Sequence, residues 1–211
     1  ERLRVAASGR DIWLIASTHR GEEDFAAAAH KQIRAKRPLA LTIIVPRHAV
    51  RGDEIAAHLA AQGLNVARRS KNEPIKAATD IYLADTMGEL GLFYRLAPIT
   101  VMGGSFTSTG GHNPIEAAHL GTALVLGPSM FNFADIARAF AARKAAITLQ
   151  NANEIAFTVL RLMDAPLERQ DFARNAGALA ADKRHVLDNI LNELQPWLEK
   201  GAGPMAQRAK A

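Results

Sequence analysis

The chain of 211 residues contains no cysteine, which excludes a disulfide framework or a thiolate metal site and suits a cytosolic setting. Aromatic residues make up only 6% of the sequence, which is few for a surface that stacks nucleic-acid bases. No apolar run reaches the length of a membrane span, and no secretory signal peptide is visible. The remaining composition, 48% hydrophobic and 22% charged, is that of an ordinary globular protein.

Several well-known nucleotide and metal motifs are missing as well. No G-x-G-x-x-G follows the first predicted strand, and no G-x-x-x-x-G-K-[ST] occurs, so neither a dinucleotide site nor an ordinary ATPase or GTPase is predicted. The seven histidines form no H-E-x-x-H, and we therefore expect no zinc site. A Ser-His-Asp triad stays open as an alternative, although the sequence contains no G-x-S-x-G elbow.

The net charge is +5, and the basic residues are spread along the chain rather than concentrated. Together with the scarcity of aromatic residues, this spread speaks against nucleic acid as a partner. A basic surface suits phosphorylated ligands or an anionic membrane surface. A basic surface that only faces solvent is the competing interpretation.

Apolar runs alternate with helical patterns along the chain. This alternation predicts about six parallel strands covered by helices on both faces, an α/β fold with a Rossmann-like sheet. We expect one domain over residues 1–200 and a frayed tail over 201–211. The predicted strands cover 12–16, 39–45, 65–68, 81–84, 99 onward and 123–126. The predicted helices cover 22–36, 53–62, 90–95 and a segment that ends near 143. From 153 most of the chain is predicted to be helical, with interruptions at Pro166, Gly177 and Pro196.

The stretch from Ile99 to Glu116 combines a buried strand, a glycine-rich loop and a predicted helix start. Glycines in such a loop let the backbone turn tightly and approach a ligand closely. Asn113 has the character of an N-cap, Pro114 of a first helical residue, and Glu116 stands three residues after the cap. A strand, a loop and an exposed helix start form a natural anion site, although the same three residues would also suit any well-capped helix.

The informative polar residues follow the predicted strands, whereas the loops that precede the strands are plainer. In an open parallel sheet the carboxyl ends of the strands share one edge, where ligands bind. At that edge Arg47 faces the predicted helix starts at Thr86-Met87-Gly88 and Asn113-Pro114. Backbone N–H groups and a guanidinium suit a phosphate. Carboxylates at Glu89 and Glu116 can accept hydrogen bonds from ribose hydroxyls, although either could be a plain first-turn helix acid. The pattern predicts a nucleotide or nucleotide-sugar pocket.

Seven short motifs lie after the predicted strands and at the predicted helix starts. They are S-T-H-R-G-E-E (17–23), I-V-P-R-H (44–48), R-R-S (68–70), D-T-M-G-E-L (85–90), G-G-S-F (103–106), G-G-H-N-P-I-E-A-A (110–118) and G-P-S-M-F-N-F (127–133). In their order and spacing these motifs resemble a known family, the 3-deoxy-D-manno-octulosonic acid (Kdo) transferases of lipopolysaccharide assembly. The resemblance covers roughly residues 10 to 195.

This resemblance implies the C-terminal, donor-binding half of a GT-B glycosyltransferase, without the N-terminal half. It implies CMP-Kdo as donor, a lipid A precursor as acceptor, and an inverting reaction that needs no metal or other cofactor. The family's catalytic carboxylate, membrane anchor and acceptor surface belong to the missing half. The full-length protein would then work at the cytoplasmic face of the bacterial inner membrane, while this chain would be soluble, bind donor and transfer nothing.

The candidate site residues combine the nucleotide contacts that the resemblance implies with the glycine loop. They are Pro46, Arg47, Met87, Gly88, Glu89, Gly104, Ser105, Asn113, Pro114, Ile115 and Glu116. Two other classes stay open at this stage. One is the half-domain of a GT-B-like nucleotide-sugar 2-epimerase or UDP-sugar glycosyltransferase, which should prefer UDP to CMP. The other is a non-enzymatic module that binds anions or nucleic acid regardless of base identity.

Overall fold

A computed structural model describes residues 2–182 of the chain. The predicted tail over 201–211 and the interruption at Pro196 lie outside these residues. All strands within residues 2–182 belong to one sheet of seven, in the order β3-β4-β2-β1-β5-β6-β7, and every neighbouring pair is parallel. The strands are β1 (Asp11–Thr18), β2 (Ala40–Pro46), β3 (Val66–Arg68), β4 (Ile81–Leu83), β5 (Ile99–Met102), β6 (Ala123–Leu126) and β7 (Ala146–Thr148).

Helices connect the strands, as the alternation of patterns predicted, except between β3 and β4, which are joined by turns and irregular chain. They are α1 (Arg2–Ala6), α2 (Glu22–Lys36), α3 (Gly52–Ala61), α4 (Leu90–Leu96), α5 (Ile115–His119), α6 (Ala134–Ala142), α7 (Ile155–Asp164) and α8 (166–182). Helix α2 has the bounds that the sequence predicted, because acidic residues begin it, basic residues end it and Pro38 follows. The break between α7 and α8 falls at Ala165, directly before Pro166, also as predicted.

Successive side chains of the apolar strands point to opposite faces of the sheet, so that the sheet separates two hydrophobic cores. In β1, Leu14 and Ala16 pack into one core, whereas Trp13 and Ile15 pack into the other. Both faces are therefore covered, which explains why β1 reads as a continuous apolar run.

Three features differ from the sequence predictions. The strand β7 was missed, because it lies at the edge of the sheet and only the first of its three residues is buried, so it lacks the apolar run of a buried strand. Helix α1 was not predicted either. The predicted interruption at Gly177 is wrong: the helix α8 continues through it. A Cβ on Gly177 would lie 3.6 Å from the carbonyl oxygen of Ala118 in α5, and the neighbouring Ala176 is wholly buried. The packing of α8 at this point therefore outweighs the low helix propensity of glycine.

Candidate functional site

The loops that follow the strands lie along one edge of the sheet, since every strand is parallel to its neighbours. Thr18, Pro46, Asp85, Gly103 and Gly127 each end or follow a strand at that edge, which confirms the predicted arrangement. Strands β2, β4 and β3 lie on one side of β1, whereas β5, β6 and β7 lie on its other side. The strand order therefore switches between β1 and β5, and in open α/β sheets ligands bind outside such a point.

At the switch the backbones of β1 and β5 approach each other unusually closely. Ser17 has a positive φ of 60°, and the register with β2 shifts between Ala16 and Thr18. The N–H of Gly103 donates to the carbonyl of Ala16 at 2.7 Å, and a Cβ on Gly103 would lie 2.6 Å from the carbonyl oxygen of Ser17. Only glycine fits at position 103, so the sequence motif has a steric cause here.

A buried carboxylate joins the two loops at the switch. Glu22, the first residue of α2, is wholly buried, and its side chain accepts three backbone hydrogen bonds. They come from His19 at 2.9 Å, Gly104 at 2.7 Å and Phe106 at 3.2 Å. From the sequence, Glu22 was predicted only as an acid that begins a helix, although its place in the S-T-H-R-G-E-E motif, directly after Gly21, was a usable signal. It fixes the glycine loop of β5 against the end of β1.

The neighbouring Glu23 makes a second buried connection, again unpredicted. It accepts from the hydroxyl of Thr18 at 2.8 Å and from Arg51 at 2.9 and 3.3 Å. Arg51 lies in the short turn before α3, so this ion pair ties the end of β1 to the segment after β2. Since Glu23 is 3% exposed, its charge is balanced inside the protein by Arg51.

Two histidines meet at the switch point. The Nε2 atoms of His19 and His112 are 3.0 Å apart, and their rings are nearly parallel, with centroids 5.2 Å apart. Partial burial lowers the pKa of both imidazoles, and the charge of Arg47 lowers each further. A Cβ on Gly104, which has a φ of +68°, would lie 3.1 Å from the ring of His112. Gly104 thus provides the room that this ring occupies.

Ser105 lies beneath the loop rather than on its surface. It is wholly buried, and its hydroxyl donates to the carbonyl of Met102 while accepting from the N–H of Gly127 at 2.8 Å. Its carbonyl accepts from Ser129 at 2.9 Å. The hydroxyl is therefore engaged inside the protein and joins the loops after β5 and β6, whereas the prediction had placed Ser105 among residues that contact a ligand.

Pro46 and Arg47 lie at the end of β2, beside the switch. Pro46 is buried and pairs with Thr18, whereas Arg47 is exposed and donates its backbone N–H to the carbonyl of Thr18 at 3.0 Å. None of the ion pairs formed among residues 2–182 involves the Arg47 guanidinium. Three other arginines near this edge, Arg51, Arg68 and Arg69, are each paired with a carboxylate. Arg47 is thus free to meet an anion.

The segment Met87–Glu89 follows β4 and leads into α4. Met87 is 70% exposed, and Gly88 turns the chain with a φ of +79°. Both carboxylate oxygens of Glu89 are held by Arg69, at 2.6 and 3.0 Å, and one also accepts from the Thr86 hydroxyl at 2.6 Å. These hydrogen bonds, led by those from Arg69, lower the pKa of Glu89 to about 2. A ribose would have to share this carboxylate with Arg69.

The segment Asn113–Glu116 follows the glycine loop of β5. The side-chain oxygen of Asn113 accepts from the N–H of Ile115 at 3.0 Å, but the N-cap of α5 is Pro114, one residue later than predicted. The exposed Glu116 makes no capping-box bond back to Asn113. Pro114 is buried. Helix α5 is only five residues long, so its dipole attracts an anion only weakly.

Glu116 instead borders an open cavity of about 510 Å³ between α4 and α5. The cavity is lined by Gly91, Arg95, Asn113, Ile115, Glu116, His119 and Leu120. Burial raises the pKa of the adjacent Tyr94 well above its usual value, and the charge of Glu116 adds to that shift. The Glu116 carboxylate is therefore not used as a helix cap and faces a space large enough for a sugar.

The structure thus brings the three predicted segments to one edge, after β2, β4 and β5, with the two histidines between Arg47 and Asn113.

No cluster of three or more metal-ligating side chains occurs in residues 2–182. Within the same residues, no helix combines the length and apolarity needed to cross a lipid bilayer.

The chain is similar to known proteins. It is 39% identical, over 92% of its length, to the 3-deoxy-D-manno-octulosonic acid transferase of Bordetella pertussis, of which it covers 46%. The chain spans about half the length of the curated relatives it matches. No protein-family model matches it.

Solved structures agree with these relatives. The C-terminal CMP-Kdo binding domain of WaaA from Acinetobacter baumannii is 34% identical, with a TM-score of 0.77 over 81% of this chain and 89% of that one. The C-terminal domain of a group 1 glycosyl transferase, LpcC from Francisella tularensis, is 16% identical with a TM-score of 0.59, over 83% and 86%, and shows the fold alone. The predicted GT-B C-terminal fold is confirmed, and the chain belongs to the 3-deoxy-D-manno-octulosonic acid transferase family.

Proposed function

We propose that this chain is the donor-binding half of a Kdo transferase and that its ligand is the nucleotide sugar CMP-Kdo. The observation that carries the proposal is the exposed Arg47, which forms no ion pair within residues 2–182 and lies at the end of β2, next to the switch in strand order. Three nearby arginines are neutralised by carboxylates, so Arg47 is the guanidinium that a phosphate would meet. The similarity to a CMP-Kdo binding domain supports the choice of nucleotide.

The predicted residues take specific roles in this proposal. Arg47 binds the phosphate, with Pro46 as the rigid strand end that presents it. Asn113–Glu116 and Met87–Glu89 bind the cytidine, and Glu116 accepts hydrogen bonds from the ribose hydroxyls, since its carboxylate faces an open cavity. Gly104 and Ser105 shape the loop between them, and Ser105 acts through its buried position.

The wider reaction is proposed on the family resemblance. The full-length protein would transfer Kdo to a lipid A precursor with inversion and without a metal, at the cytoplasmic face of the bacterial inner membrane. The catalytic carboxylate, the acceptor site and the contact with the membrane surface would belong to an N-terminal half. This chain by itself would then bind the donor but would not transfer Kdo.

Calorimetry with CMP, UMP, UDP and NAD tests the proposal. We expect CMP to bind most tightly, and Arg47→Ala to weaken it. Preference for UDP would favour the epimerase or UDP-sugar transferase alternative and overturn the proposal. Affinity that falls steeply with salt and ignores the base would indicate a general anion-binding module. Transfer of Kdo by the chain alone would contradict the assignment of the catalytic carboxylate to another half.

A further inference from the structure

The His19–His112 pair is the one cluster at the switch point that the nucleotide assignment leaves without a role. The two Nε2 atoms are 3.0 Å apart, so when both rings are neutral one Nε2–H donates to the other Nε2, and one proton lies between these two atoms. His19 follows β1, whereas His112 ends the glycine loop after β5. The pair therefore lies where the strand order reverses, which is the ligand-binding position of such sheets.

The fold positions these two rings without burying them. Both side chains are half-buried and reachable from solvent. The backbone of Ser17, which has the positive φ of 60°, lies beside the ring of His112. The ring of His48 meets His19 edge-on, with centroids 6.1 Å apart. Gly104 leaves space for both rings, because a Cβ there would lie 3.1 Å from His112 and 3.4 Å from His19.

The charges around the pair favour an anion. Arg47 and His48 are the cationic or titratable groups that face both histidines, and they follow β2. The carboxylates that face His19 are Glu22 and Glu23. Backbone N–H groups engage both oxygens of Glu22, and Thr18 and Arg51 engage those of Glu23. Both carboxylates are thus occupied, while Arg47 is unpaired among residues 2–182.

We propose that His19 and His112 form a subsite for the carboxylate of an ulosonic acid sugar, next to the phosphate site at Arg47. The inference rests on the proposed function. In a nucleotide-activated ulosonic acid, the anomeric carbon carries both the phosphate and the carboxylate, so the two anions are neighbours. When the carboxylate enters, the pair takes up one proton, and each ring then donates one N–H to one carboxylate oxygen.

Calorimetry on the 211-residue chain tests the subsite with two ligands, CMP-Kdo and the methyl ester of CMP. Both carry a phosphodiester, but only CMP-Kdo carries a carboxylate. The variants are His19→Gln and His112→Gln, because glutamine keeps a hydrogen-bonding side chain but cannot become cationic. His58→Gln is the matched control, since His58 is an exposed histidine on α3 that contacts Asp24. Thermal melting verifies that each variant is folded.

We expect His19→Gln and His112→Gln to bind CMP-Kdo about tenfold more weakly, the change expected for one lost charged hydrogen bond. They should bind the methyl ester within about twofold of the parent, and His58→Gln should match the parent with both ligands. The deficit should grow as the pH falls toward the lowered pKa values of the two imidazoles, because binding of the carboxylate requires the parent pair to take up a proton.

Equal weakening of both ligands would overturn the subsite, because the pair would then serve the nucleotide or the fold. Unchanged binding of CMP-Kdo would overturn it as well. If His112→Gln fails to fold, His19→Gln decides the question by the same comparison. The parent's own preference for CMP over UMP and UDP tests the proposed function separately from these variants. A parent without that preference would overturn both proposals.

Discussion

The carboxylate of Glu22 accepts a hydrogen bond of 2.7 Å from the N–H of Gly104, although 82 positions separate them along the chain. The bond joins the loop after β1 to the loop after β5, at the point where the strand order reverses. Because Glu22 is wholly buried and accepts from two further backbone N–H groups, it determines the shape of the glycine loop. The loop is therefore held in place before any ligand arrives.

Replacing Glu22 by glutamine should destabilise the chain, because one acceptor oxygen becomes an amide that faces backbone donors. We expect the free energy of unfolding to fall by about 1–3 kcal/mol, the cost of leaving a buried polar group unsatisfied. Urea denaturation measures the change. The control is Glu54→Gln, which alters a half-exposed ion pair with Arg20 and should change stability by less than about 0.5 kcal/mol. Equal effects of both substitutions would show that Glu22 has no special role.

Arg47→Ala should weaken the binding of CMP by about 1.5–3 kcal/mol, because a charged hydrogen bond to the phosphate is lost. Cytidine, which lacks the phosphate, should bind both forms about equally in calorimetry. Arg20→Ala is the control, since Arg20 is 79% exposed and pairs only with Glu54 among residues 2–182. Unchanged CMP affinity in Arg47→Ala would show that Arg47 is only a solvated loop residue.

Glu116→Gln should bind CMP several-fold more weakly, because a neutral amide accepts hydrogen bonds from ribose hydroxyls less strongly than a carboxylate. Its stability should stay within about 0.5 kcal/mol of the parent, since Glu116 is exposed and makes no capping-box bond to Asn113. The 2′,3′-dideoxy form of CMP should bind parent and variant alike. Early melting with normal CMP affinity would instead indicate a capping residue.

Stability should decrease as the pH falls below about 6.5, and His30 should account for part of the decrease. His30 is wholly buried between Thr42 and Asp80, and burial lowers its pKa. The folded state favours the neutral form of His30. Once the pH drops below the ordinary pKa of histidine, the unfolded chain therefore binds more protons than the folded chain. The destabilisation continues until the lowered pKa of the folded state is reached.

Urea denaturation of the parent and His30→Gln between about pH 8 and about pH 5 measures this contribution. The variant should lose stability less steeply in the acid direction, because it lacks the titrating group. The histidines of the switch-point pair also have lowered pKa values, so His19→Gln/His112→Gln should reduce the slope separately. An unchanged slope in His30→Gln would show that its buried imidazole does not titrate in this range.

Local patterns were sufficient to predict most of the fold. A continuous apolar run located β1, the terminal charges and the following Pro38 located α2, and Pro166 predicted the end of α7. The polar residues after the strands predicted a shared edge, since parallel strands place their carboxyl ends together. These features depend on neighbours in sequence, or on a rule that holds for every parallel sheet. The motifs in register also sufficed to predict the family.

The partners of the side chains depended on tertiary structure. The approach of His19 to His112, the bond from Gly104 to Glu22 and the pairing of Glu89 with Arg69 each join loops that follow different strands. Their distances are set by strand order, by the register shift at Ser17 and by the close approach at Gly103, and no local period encodes these. Ser105 illustrates the same limit, because only packing decided that its hydroxyl lies inside the protein.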